Sequence, residues 1–148
     1  MFSSIMVGTD GSPTAAAAVG EAITLASKVG ARLLIVSAYE PVSEARLREE
    51  RRGAPSDAQW MVSPREDVLA VLEKARSLAA ESGVGEVETF ARQGDAADAI
   101  IDIAEEQGCD LIVVGNKGMI GAKRFLLGSV PNKISHHAPC SVLIVRTT

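Results

Sequence analysis

The residues best suited to chemistry lie in "GNKGMIGAKRFLLGSV", Gly115 to Val130, directly after the apolar run "DLIVVG". Gly115 and Gly118 permit close backbone approach, so successive N–H groups can converge on one concavity that suits phosphate oxygens. Gly128 and Ser129 then open a helix, whose free N–H groups and positive dipole end attract an anion while Ser129 adds a hydroxyl donor. Lys117, Lys123 and Arg124 supply neutralising charge nearby. A second glycine-rich loop, "GTDGS", carries Asp10, a carboxylate able to accept hydrogen bonds from ribose hydroxyls or an adenine edge. Phosphate donors in one loop and a nucleoside acceptor in the other make up the division of labour that a nucleotide requires.

The elements that must hold these loops follow from hydrophobic periodicity. Five β-rich runs, "SIMVG", "ARLLIVSA", "VETFAR", "DLIVVG" and "SVLIVR", alternate with helical stretches. Such alternation predicts an α/β domain with a parallel sheet. Consecutive apolar positions in "LLIVSA" and "LIVV" predict strands covered by helices on both faces.

Ser12-Pro13 announces the first helix, with an inward stripe of Ala15, Val19, Ala22, Ile23 and Ala26, and Gly30 ends it. Ser63-Pro64-Arg65-Glu66 reads as a capping box for a second helix from Pro64 to Ser82, with Gly83 beyond it and Val68, Leu72, Ala75 and Leu78 facing inward. Gly94-Asp95 opens a third helix bearing Ile100, Ile101 and Ala104, closed by Gly108. Ser129 caps a short fourth helix that Pro139 stops. The segment 39–63 is long for a connection in a compact domain and is expected to be a mobile loop, with Trp60, Met61 and Val62 the part that packs down.

The expected architecture is a single domain over residues 1–148, a flavodoxin-like, doubly wound, five-stranded parallel sheet of order 3-2-1-4-5. That order brings strands one and four together where the winding reverses, so "GTDGS" and the Gly115–Val130 loop meet at the crevice outside the strand ends.

The spacing Gly115-x2-Gly118-x9-Gly128-Ser129 resembles the nucleotide-binding motif of the universal stress protein family, in its ATP-binding branch. The likeness extends to "VGTDGS", "GDAADAI" and "HHAPCSVLIVR", covering nearly the whole chain outside 39–63. It implies that Thr9 and Asp10 contact base and ribose and that Ala38 lies against adenine. It also implies that Val114, Gly115, Lys117 and Gly118 follow ribose and phosphates, and that Gly128, Ser129 and Val130 bind phosphate. Asn116, counted with this set, departs from the small hydroxyl residue often found there, and Ser141 replaces a common proline.

The expected cofactor is ATP or another adenine nucleotide, AMP and cyclic AMP included, with Mg²⁺ accompanying ATP. The expected role is that of a sensor or regulator in stress response. The alternative is an enzyme at the same crevice, either a slow ATPase or a flavin-dependent redox protein. The resemblance further implies a homodimer through Ser141 to Arg146, an apolar stretch at the edge of the expected sheet.

Other readings are disfavoured by what the residues lack. No Gly-Lys-Ser/Thr sequence grips phosphate and metal in the manner of a Walker A loop, and "LGSVP" is no nucleophile elbow, so efficient hydrolysis and serine catalysis are not expected. The pattern "ARQGD" after the third strand lacks the phosphoacceptor of a receiver domain. His136 and His137 are adjacent on a helix, point to different sides and have no spaced partners for a metal. Aromatic residues at 3 % leave little to stack on a flavin ring.

A net charge of −4 offers no field to attract nucleic acid, and 47 % hydrophobic with 23 % charged residues is ordinary globular composition. No apolar run approaches the roughly 20 residues that span a bilayer. With Cys109 and Cys140 each placed beside an apolar strand as free thiols, the expectation is a soluble, cytoplasmic protein without a disulfide.

Overall fold

A computed structural model of the chain describes residues 2–39, 64–116 and 129–147. In chain order these are β1 (Ser4–Gly8), α1 (Pro13–Val29), β2 (Arg32–Tyr39), α2 (Pro64–Glu81), β3 (Val87–Gln93), α3 (Ala96–Gln107), β4 (Leu111–Gly115), α4 (Ser129–His137) and β5 (Ser141–Val145). The five strands form one parallel sheet of order β3-β2-β1-β4-β5, the doubly wound arrangement expected from the sequence.

Strand alternation divides the interior into two layers. Ile5, Val7, Leu33, Ile35, Leu111 and Val113 point to one face, where Ala18, Val19, Ala22 and Ile23 of α1 and Leu72 and Ala79 of α2 cover them. Met6, Leu34, Val36, Ile112 and Val114 point to the other, against Ala97, Ile100, Ile103 and Ala104 of α3 and Ile134 of α4. The central strands are therefore apolar through their middles, at Ile5–Val7, Leu33–Val36 and Leu111–Val114, because both of their faces are dry there.

Helix ends follow the side-chain chemistry. Ser12 caps α1 by accepting the Ala15 N–H at 3.2 Å, and Pro13 occupies the first helical position. Asp95 caps α3 by accepting the Asp98 N–H at 3.0 Å. The expected cap Ser129 is instead the first residue of α4 itself, and the residue before it lies outside the described residues. Ser63 of the expected capping box and Trp60, Met61 and Val62 also lie outside them, as does all of the expected mobile loop except Tyr39.

One expected core residue is corrected. Leu78 is 50 % exposed, and Ala79 takes the buried position in its place. The reason is helix phase: from Leu72, steps of three and seven residues return to the same stripe at Ala75 and Ala79, whereas a step of six turns Leu78 away from the sheet. In α1, Ala18 is fully buried while Ala15 is only half-buried. In α3, Ile103, absent from the expected set, is fully buried.

The sheet end at the start of β1 and β4 is tied by a polar cluster. Asp110, just before β4, accepts the Ser3 N–H at 2.9 Å, the Ser3 hydroxyl at 3.0 Å and the Ser4 N–H at 3.0 Å. Arg32 adds a bond from Nε to Ser4 Oγ at 2.9 Å and one from its guanidinium to the Gln107 carbonyl. Partial burial pushes the Asp110 pKa up, but the two N–H groups and the hydroxyl outweigh it and hold the carboxyl below the ordinary Asp value.

A group whose pKa is depressed on folding contributes stability above its unfolded pKa and loses it as pH falls through the folded one. Asp110→Ala is therefore expected to cost on the order of 1 kcal/mol at neutral pH, after allowance for screening of this partly exposed carboxylate. The difference from wild type should close below about pH 4. Urea unfolding at a series of pH values measures it, and a pH-independent difference would show that packing, not the ionised carboxylate, sets the cost.

Cys109 and Cys140 are both free. Burial raises the pKa of each thiol, and Cys109 Sγ accepts a long hydrogen bond from the Ser4 hydroxyl at 3.5 Å. Among the described residues no helix is long and apolar enough to cross a membrane.

Candidate functional site

Strands β1 and β4 lie side by side at the sheet centre while their connections leave in opposite directions, which opens a cleft at their C-terminal ends. Its cavity volume is about 120 Å³, and it is partly open to solvent. Thr9 and Asp10 border it from the β1–α1 loop, Val36 and Ala38 from β2, and Val114 and Gly115 from β4. The start of α3 contributes Ala96 and Ile100, and the first turn of α4 contributes Val130 and Pro131. Four lining residues, Val36, Ile100, Val114 and Val130, belong to or pack against the α3/α4 core layer, so the apolar wall continues that core.

The β1–α1 loop is held by its own side chains. Thr9 N–H donates to the Val36 carbonyl at 2.9 Å, and Thr9 Oγ1 accepts the Gly11 N–H at 3.1 Å. Asp10 Oδ1 accepts the Ser12 N–H at 2.9 Å, a local turn that fixes the carboxylate at the cleft rim. The second carboxylate oxygen, Oδ2, has no hydrogen-bond partner among the described residues.

Two glycines allow this arrangement. A Cβ at Gly8 would come within 2.5 Å of Ile100 Cδ1, so the missing side chain lets α3 close on the end of β1. Gly11 has φ of +82°, and a Cβ there would sit 2.9 Å from Val71 Cγ2 on α2.

The far wall is positioned by an ion pair. Lys133 of α4 reaches Asp98 Oδ1 at 2.7 Å and Asp95 Oδ2 at 3.5 Å, drawing the first turn of α4 toward the start of α3. The Asp98 N–H holds Asp95 below the usual carboxylate range, with Lys133 adding to the shift against the opposing effect of burial. Both partners are substantially exposed, so the pair contributes orientation more than stability.

Of the residues singled out in the sequence, Thr9, Asp10, Ala38, Val114, Gly115 and Val130 converge on this one cleft. Ser129 is exposed at the start of α4. Asn116 is not among the lining residues, and its Oδ1 accepts the Thr147 N–H at 2.8 Å and the Thr147 hydroxyl at 3.0 Å. Lys117, Gly118, Lys123, Arg124 and Gly128 lie outside the described residues.

Sequence reasoning missed Gly8, Ala15, Val36, Ala96, Ile100 and Pro131. Gly8 and Ala96 carried a usable signal, being small residues where a strand exits and a helix begins. Val36 and Ile100 carried none, since an apolar residue that lines a cleft looks identical to one that fills a core. No aromatic ring lines the cleft among the described residues. Within the same set, no group of three or more His, Cys, Asp or Glu side chains gathers to hold a metal ion.

Sheet order and the cleft at the switch point together define a flavodoxin-like α/β protein with a concave site at the ends of its central strands. The chain belongs to the universal stress protein family, whose family model matches residues 1–146. It is 36 % identical over 149 residues to the universal stress protein Rv1636 of Mycobacterium tuberculosis H37Rv, covering 99 % of this chain and 98 % of that protein.

Among solved structures, it matches a universal stress protein in complex with cAMP at 32 % identity and a TM-score of 0.73, covering 99 % of each chain. A family protein from Arabidopsis thaliana with AMP bound shares the fold at a TM-score of 0.69 and 19 % identity, covering 99 % of this chain and 92 % of that one.

Proposed function

We propose that this protein binds an adenine nucleotide in the switch-point cleft and acts as a sensor or regulator in stress response. The observation that carries this reading is the convergence of Thr9, Asp10, Ala38, Val114, Gly115 and Val130, drawn from four separate elements, on one cleft. Val36, Ala38, Ile100 and Val114 offer apolar walls to a base, and Asp10 Oδ2 is available to a ribose hydroxyl or a base N–H. The segment after Gly115 and the first turn of α4 then receive the phosphates.

ATP ranks first because the glycine spacing resembles that of the ATP-binding branch. Cyclic AMP is the second reading, favoured by the cAMP complex of the relative at 32 % identity. Asp10 is the one acidic residue among the lining residues described. Mg²⁺ arriving with ATP would thus be held chiefly by phosphate oxygens.

Calorimetric titration of nucleotide-free protein with ATP, AMP, cyclic AMP and GTP tests the proposal. Adenine nucleotides are expected to bind and GTP to bind more weakly; no heat from any adenine nucleotide would overturn it.

We further propose that the protein pairs with a second copy through β5. This strand is an edge of the sheet, and its Leu143 is 42 % exposed. An apolar edge with unpaired backbone groups favours pairing. Val145 packs against the core, so Leu143 is the cleaner position to probe. Leu143→Lys is expected to weaken self-association by at least about tenfold, by removing apolar contact and setting two like charges across a two-fold axis. Sedimentation equilibrium measures this, and an unchanged dimer would move the interface elsewhere.

A further inference from the structure

The sequence suggested Asn116 as a nucleotide contact, yet its geometry points to a different task. Asn116 immediately follows β4, and its backbone N–H donates to the Val145 carbonyl at 2.9 Å, adding one more bond beyond the Gly115–Val145 pair of the β4–β5 ladder. Its side-chain oxygen then accepts two further bonds from a single residue, the Thr147 N–H at 2.8 Å and the Thr147 hydroxyl at 3.0 Å. Both residues are partly buried. Neither lines the cleft, while the two residues before Asn116, Val114 and Gly115, do.

We propose that Asn116 and Thr147 form a latch that positions the end of β4 for nucleotide binding, which makes Thr147 a positioning residue of a site it does not touch. The inference rests on the nucleotide reading above. Where two parallel strands end together the ladder frays, and a glycine at the last position adds backbone freedom. A ligand that hydrogen-bonds the backbone there needs those groups fixed to about 0.5 Å. Three bonds from one asparagine to the exit of β5 supply that restraint. The acceptor must be a short side chain carrying an oxygen with room for two donors, and its donors must come from the segment leaving β5.

The test uses AMP and adenosine in calorimetry on the full chain, with thermal unfolding alongside. Thr147→Ser retains both donors and is expected to bind like wild type. Thr147→Pro removes both donors and is expected to bind both ligands about tenfold more weakly, a loss equivalent to two ordinary hydrogen bonds, with little change in unfolding temperature. Asn116→Ala should weaken binding to a similar degree, and the Asn116→Ala/Thr147→Pro double variant should be no worse than either alone, as for two halves of one interaction.

Wild-type affinity in Thr147→Pro would overturn the latch, and additive losses in the double variant would mean that Asn116 acts on the ligand directly. Failure of the wild type itself to bind either ligand would instead bring down the nucleotide reading and the latch with it.

Discussion

Asp10→Ala is expected to weaken ATP, AMP and adenosine by the same free energy, about 1.5–3 kcal/mol, or roughly ten- to a hundredfold in affinity. The equality matters more than the size. Asp10 sits on the β1–α1 loop with Oδ1 committed to the Ser12 N–H and Oδ2 lacking a partner among the described residues, at the rim of a cleft with apolar walls. An acceptor so placed suits the nucleoside, the part common to all three ligands.

Burial under the ligand converts this exposed carboxylate into a shielded one, so its hydrogen bond counts as a charged one. Asp10→Asn separates the two contributions, because it retains an acceptor for the Ser12 N–H while removing the charge. It should recover the loop geometry and only part of the affinity. Calorimetry with the three ligands decides the matter: a loss confined to the phosphorylated ones would mean that Asp10 acts through a metal ion and not on the nucleoside.

Gly11→Ala should damage both fold and binding. The residue has φ of +82°, a conformation that costs an L-amino acid with a side chain roughly 1–2 kcal/mol, and the new Cβ would stand 2.9 Å from Val71 Cγ2. Together these effects should destabilise the protein by about 2–3 kcal/mol. Relief by backbone movement would shift Asp10 and Ser12, the neighbours on either side, so adenosine affinity should fall as well.

Pairing Gly11→Ala with Val71→Ala removes the steric part and leaves the conformational one. The double variant should regain part of the lost stability, measured by urea unfolding. A Gly11→Ala protein as stable as wild type, with full affinity, would contradict the loop conformation described here.

Much of the architecture could be read from local patterns because those patterns have local causes. Strands covered on both faces carry continuous apolar runs, and Ser12 before Pro13 and Asp95 announce helix starts by the hydrogen bonds they make. Strand order followed from alternation together with the rule that ligands gather where winding reverses. The failures have causes that are not local. Leu78 fell outside the buried stripe because helix phase has to be followed over two turns. Val36, Ile100 and Pro131 became cleft walls only once the layers were stacked. The Asn116–Thr147 contact was equally invisible, because nothing in the neighbourhood of Asn116 announces Thr147, which reaches it through the pairing of β4 with β5.

The division of the interior by strand alternation has a consequence for how such a protein can change over evolutionary time. The apolar cleft walls Val36, Ile100, Val114 and Val130 belong to the layer beneath α3 and α4, whereas the α1 and α2 side meets the cleft at Ala15 and brings Val71 close to Gly11. Substitutions among Ile5, Val7, Ala22, Ile35 and Val113 are screened from the ligand by the thickness of the sheet. Robustness can thus drift on one side while selectivity is chosen on the other, and a lineage can change what its cleft accepts without first renegotiating its stability.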